Sequence, residues 1–84
     1  MDELIYTLKQ QIIEALNLEE MAPEDINDDA LLFGDVGLDS IDVLELIVLL
    51  EKQYGIELES PAEAKKIFAS VRTMAEYVMQ NRKK

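Results

Sequence analysis

Three stretches of this chain repeat their apolar residues at steps of three and four, and that spacing restricts the fold more than any other feature. Leu4, Ile5, Leu8, Ile12, Ala15 and Leu16 fall on one helical face. Val43, Leu46, Ile47, Leu50 and Tyr54 do the same, and so do Val71, Met74, Ala75 and Val78. The start and stop signals agree with the spacing. Asp2 can cap the first helix, and Asn17 and Leu18 end it. The second helix is expected from about Ser40 to Tyr54, where Gly55 suits the left-handed residue that closes a helix. After a short extended piece at residues 56–58 comes SPAE at residues 60–63. This is a capping box with proline at the first helical position, and it predicts a third helix from about Pro61 to Phe68 that buries Ala64, Ile67 and Phe68. Ser70 can cap the fourth. The expected fold is an all-α four-helix bundle with a long first loop and a short third helix.

The long loop lies between Glu19 and Leu38, where Pro23, Asn27, Asp28, Asp29, Gly34 and Gly37 interrupt any periodicity. Its apolar residues Met21, Ile26, Leu31, Leu32 and Phe33 are expected to pin it to the core. Loops of this length are uncommon in compact domains and often carry function. A hydrophobic fraction of 49% over 84 residues supports one core, and residues 1–84 read as a single domain without internal repeat or low-complexity tract.

Charge narrows the partners. The net charge is −10, and the segment from Gln10 to Glu51 holds twelve acids and no Lys or Arg. Such a field repels phosphate backbones, which argues against nucleic acid, and it attracts proteins with basic patches. A solvated acidic surface that only keeps the protein soluble is the plainer alternative. The first ten residues, MDELIYTLKQ, lack the basic and apolar regions of a signal peptide. The longest apolar run, residues 46–50, is too short to span a bilayer. The expectation is a monomer in the cytoplasm, or in an organelle matrix after import.

Histidine and cysteine are both absent. That excludes Ser-His-Asp and Cys-His catalysis, disulfides and any thiol of the protein's own. Three serines stand at predicted helix starts. Ser60 and Ser70 are accounted for as caps. Ser40 is open to two assignments. If Asp39 is the cap, with Asp42 the reciprocal acid three residues on, the Ser40 hydroxyl is surplus to the backbone and points outward, with Gly34 and Gly37 leaving room for approach. If Ser40 is the cap, Asp39 belongs to the loop. A serine needs a neighbouring base to act as a nucleophile, and Lys52 is twelve residues down the helix, about 18 Å along its axis. Ser40 therefore reads as the substrate of another enzyme, and no catalytic residue is assigned. Asp25, Asn27 and Asp29 mimic a calcium loop, but Ala30 and Val36 stand where glycine and glutamate are required. Zinc would find only carboxylates. No metal site is expected.

The run GLDSIDVLELIVLLEKQYGIEL, residues 37–58, resembles the acyl and peptidyl carrier proteins, whose signature is Asp-Ser-Leu at the start of the second helix followed by an acid and an apolar run. The resemblance extends over nearly the whole chain. Ile41 replaces the more usual leucine, and Lys52 interrupts an acidic run that many fatty-acid carriers keep. The resemblance implies a 4'-phosphopantetheine arm on Ser40, donated by coenzyme A through a phosphopantetheinyl transferase, with Asp39 capping the helix and presenting the serine. The arm would hold acyl intermediates as thioesters for fatty-acid, polyketide or related lipid enzymes, and its thiol would be the only one present.

Projected at 100° per residue, the second helix has a further apolar side of Ile41, Leu44, Val48 and Leu49, interleaved with Asp42, Glu45 and Glu51. Burying those acids would be costly, so a docking strip is expected, with a more fully wrapped helix as the alternative. The resemblance implies that its partners are acyl-processing synthases and transferases with basic patches. Ile41, Leu44 and Val48 would supply its apolar contacts, and Asp42, Glu45 and Glu51 its charges. The alternatives are an aminoacyl or other non-fatty cargo, and an acidic helical interaction module that is never modified.

Overall fold

The computed structural model describes residues 2–18, 20–34 and 36–83. Within them the chain forms four α-helices: α1 (Asp2–Ala15), α2 (Ser40–Tyr54), α3 (Pro61–Ile67) and α4 (Val71–Asn81). A single 3-10 turn, Pro23–Asp25, sits in the connection between α1 and α2. No strand occurs among the described residues, and no helix there is long and apolar enough to cross a membrane. The expected all-α bundle with a long first loop and a short third helix is what forms. Helix α1 packs on α2 and α4, α2 also packs on α3, and α3 on α4.

The helix ends follow local chemistry. Asp2, expected as the cap, lies inside α1 in its first turn instead. An acid there still suits the positive end of the helix dipole. At the other end Asn17 takes φ 55°, its N–H donates to Glu14 O, and Leu18 N donates to Ile13 O at 2.9 Å. That paired arrangement satisfies carbonyls the helix would leave open, and asparagine tolerates the left-handed backbone it needs. Gly55 closes α2 at φ 68°, as expected. Ser60 Oγ accepts from Glu63 N, the forward half of the anticipated capping box. Ser70 Oγ accepts from Thr73 N, while Thr73 Oγ1 accepts from Ser70 N.

The core is aliphatic around one phenylalanine. Leu8, Ile12, Leu32, Leu46, Leu50, Phe68 and Val78 are all fully buried, with Ala64, Val71, Met74 and Ala75 filling the smaller gaps. A fully buried Leu or Phe side chain contributes about 1.5–3 kcal/mol relative to exposure, so these few residues hold most of the fold. Tyr54 is buried at the end of α2, where its hydroxyl donates to Gln11 Oε1 at 2.7 Å and the Arg82 guanidinium lies 5.2 Å from its ring centre. Burial pushes its phenol above the ordinary range.

The connection of residues 16–39 is anchored at several points; Glu19, at its expected start, lies outside the described residues. Ile26 and Leu32 are fully buried, and Met21 and Phe33 pack partly on the core. Leu31 is exposed instead, since its neighbour Leu32 takes the inward direction. Leu32 N donates to Ala69 O, and Arg72 N donates to Asp28 O, which ties the loop to the α3–α4 junction. Side chains add a latch: Asp28 pairs with Lys9 of α1 and Arg72 of α4, and Arg72 Nε donates to Asp29 Oδ1 at 2.6 Å.

Candidate functional site

The loop delivers the chain to α2 through Gly37, Leu38 and Asp39. Leu38 is buried, and its N–H donates to Leu32 O at 2.9 Å, so the entry to the helix is held from below. Gly37 has φ +90°, a backbone that residues with a Cβ rarely adopt. A Cβ there would meet nothing within 4 Å, and one at Gly34 would make only ordinary contact with Leu31. Only Gly37, then, leaves open space at the helix mouth, while a side chain at Gly34 would rest against Leu31; the requirement for glycine at 37 comes from its backbone angle.

The two assignments left open for Ser40 are resolved by geometry. Asp39 is extended, with φ −126° and ψ −172°, and its Oδ1 accepts from Ile41 N at 3.0 Å and Asp42 N at 3.2 Å. Asp42 Oδ2 accepts in return from Asp39 N at 3.0 Å. This reciprocal pair is a capping box with aspartate at both positions, and it satisfies three backbone donors at once. Ser40 is the first residue of α2 and is exposed, and its hydroxyl makes no hydrogen bond with the described residues. An oxygen placed so is accessible to a large reactant and unactivated by the protein itself.

The strip beyond it divides more sharply than the projection suggested. Ile41, Leu44 and Val48 are 71%, 54% and 43% exposed, large values for apolar side chains on a helix. Glu45 and Glu51 are exposed as well. Ile41, Leu44, Glu45 and Val48 share one face at steps of three and four. Asp42 projects about 100° to the side of Ile41, is half-buried, and is engaged with Asp39. Leu49, placed by the projection on the outward side, is only 7% exposed. It lines an open groove of about 240 Å³ together with Gln11 and Ala15 of α1. The helical wheel gives a direction, and α1 happens to lie in it.

The carboxylates flanking Ser40, Asp39 and Asp42, are engaged with backbone N–H groups, and the described residues contain no group of three acids able to hold a metal ion. What the arrangement offers is an accessible hydroxyl on a rigid helix end, beside an exposed strip that mixes aliphatic and acidic side chains.

Comparison with known proteins agrees with this picture. Residues 7–78 match the family model described as the phosphopantetheine attachment site. The chain is 35% identical to an acyl carrier protein of Wolinella succinogenes over 75 residues, covering 89% of this chain and 92% of that protein. It is 32% identical to one from Campylobacter hominis over 76 residues, covering 90% of each. A third, from Treponema pallidum, is 35% identical over 78 residues, covering 93% of this chain and 94% of its own. With the capped helix, its protruding serine and these relatives together, the chain belongs to the phosphopantetheine-attachment family, that of the acyl carrier proteins.

Proposed function

We propose that this protein carries acyl groups on a 4'-phosphopantetheine arm esterified to Ser40 Oγ. The observation that supports this most directly is the division of labour at the head of α2. Asp39 and Asp42 satisfy the backbone, and the Ser40 hydroxyl is left exposed with no hydrogen-bond partner among the described residues. The residues fit such a group: the oxygen stands at the first helical position, and the space in front of Gly37 is open. When bound, the arm supplies a terminal thiol that holds an acyl group as a thioester. The chain's own residues position the tether and offer a surface. Tethering raises the effective concentration of cargo for any enzyme docked on the carrier.

The docking surface follows from the same helix. Ile41, Leu44 and Val48 provide apolar area, and Glu45 and Glu51 provide charge for basic patches on a phosphopantetheinyl transferase and on acyl-processing synthases and transferases. Asp42 contributes charge at the edge of that strip. Residues 1–84 act as one carrier domain, with the cytoplasm as the expected setting and fatty-acid or related lipid synthesis as the pathway class. The aliphatic interior, with a single buried phenylalanine, could part at modest cost to shelter an acyl chain.

The test is intact mass after incubation with coenzyme A and a broad-specificity transferase. The wild type gains one phosphopantetheine, and Ser40→Ala gains none while keeping its helical circular dichroism. An unchanged wild-type mass would reject the carrier reading in favour of an unmodified interaction module.

A further inference from the structure

We infer that Asp42 serves the loading of Ser40 chiefly as a positioning residue, acting through the oxygen that accepts from Asp39 N–H, with its charge at the edge of the docking strip the smaller contribution. This assignment rests on the carrier reading and concerns the geometry that makes Ser40 a good substrate.

Three hydrogen bonds carry it. Asp39 Oδ1 holds the amides of Ile41 and Asp42, and Asp42 Oδ2 holds the amide of Asp39. Ser40 lies between the two acids and its hydroxyl has no partner among the described residues; Asp39 O accepts from Val43 N at 3.2 Å, but the Asp39 N–H depends on Asp42 alone there. Just upstream, Gly37 has φ +90°, and the space that a side chain would occupy there is open. Leu38 is held by Leu32 O, but the Asp39 N–H has no other acceptor among the described residues. Removing the Asp42 carboxyl frees that N–H and loosens the Asp39–Ser40 peptide between the anchored Leu38 and the first turn of α2. The hydroxyl then spends less time in the one orientation a transferase requires.

Position argues the same way. Asp42 is half-buried and points about 100° away from Ile41, off the exposed strip on which Leu44, Glu45 and Val48 lie. A carboxylate meant mainly for a partner's cation would gain by full exposure on that strip, as Glu45 has.

Charge and geometry can be separated because asparagine keeps an acceptor oxygen in the same place without the charge. Asp42→Asn and Asp42→Ala are compared with the wild type in steady-state loading by a transferase, with coenzyme A saturating and the carrier varied. Positioning predicts that Asp42→Ala loses about tenfold in kcat with KM nearly unchanged, while Asp42→Asn stays within about twofold of wild type in both. Hydrogen exchange at the Asp39 amide should follow the same order, protected in the wild type and Asp42→Asn and fast in Asp42→Ala. Circular dichroism checks that α2 persists in each variant, since losing a cap costs only about 1 kcal/mol. Equal rises in KM for Asn and Ala with kcat unchanged would overturn the inference in favour of a docking charge. Wild-type kinetics and exchange in Asp42→Ala would overturn it too. Failure of the wild type to load at all would strike the carrier reading instead, and the exchange measurement would still decide whether Asp42 holds the Asp39 amide.

Discussion

Breaking the latch between Lys9 and Asp28 should loosen the long loop without touching the core. Lys9 is a cation with only 12% of its side chain exposed, and Asp28 is 34% exposed. A hydrogen bond to a charged group contributes about 1.5–3 kcal/mol when shielded from water. Solvent reaching Asp28 screens the pair, so a coupling of about 1–2 kcal/mol is expected. In a domain of this size that corresponds to roughly 4–16 °C in melting temperature. A double-mutant cycle with Lys9→Met and Asp28→Ala isolates the term, because methionine keeps most of the lysine stem and the Asp28 carbonyl still accepts from Arg72 N in every variant. Urea unfolding followed by circular dichroism gives each free energy. The pH dependence has a definite sign. The Lys9 hydrogen bond, helped by the charges of Lys9 and Arg72, holds the Asp28 carboxyl below its ordinary value of 3.8. The coupling is therefore complete above 3.8 and fades as pH falls through the lower value of the folded state. A coupling under about 0.3 kcal/mol at neutral pH, or one that survives unchanged in strong acid, would refute this account.

Three shorter expectations concern the same molecule. Leu49→Ala should cost about 2–4 kcal/mol in urea unfolding, while Leu44→Ala on the same helix stays within about 0.5 kcal/mol; equal losses would mean that α1 does not cover Leu49. Gly37→Ala should destabilise by about 1–2 kcal/mol through its positive φ alone, whereas Gly34→Ala should be neutral or slightly stabilising, and similar effects from both would contradict the backbone argument. With a net charge of −10, the folded state repels itself, so moderate salt or divalent cations should raise the melting temperature. A melting curve indifferent to salt would contradict that.

The parts of the fold legible in the sequence are those decided within a few residues. Helix α2 runs between Ser40 and Tyr54 as expected because Asp39 and Gly55 are local devices, complete without knowledge of the tertiary structure. The stripe of α4, Val71, Met74, Ala75 and Val78, is buried throughout because only one face of that helix is apolar. Where α2 offers apolar residues on two sides, pattern could not say which side a neighbour covers, and Leu49 was misplaced for that reason. Leu31 and Leu32 are adjacent and chemically alike, so only the backbone path could tell which one faces the core. The latch was illegible altogether. Its partners are separated by 19 residues for Lys9 and Asp28 and by 43 for Asp29 and Arg72, and surface acids are too plentiful in this chain for any one to stand out. At the site itself, Asp39 and Asp42 announced a capping box, but Ser40 competed for the same role until the hydrogen bonds assigned it.

Two main-chain bonds, Leu32 N to Ala69 O and Arg72 N to Asp28 O, give the connection before α2 a fate unlike that of most surface segments. The stretch is sewn to the opposite end of the sequence, so neither seam can part while the final helix keeps its place. Those two amides should exchange with solvent only when the whole molecule opens, and a protease should find no foothold there in the native state. A carrier passed from one enzyme to another would then travel with that part of its longest loop stitched shut.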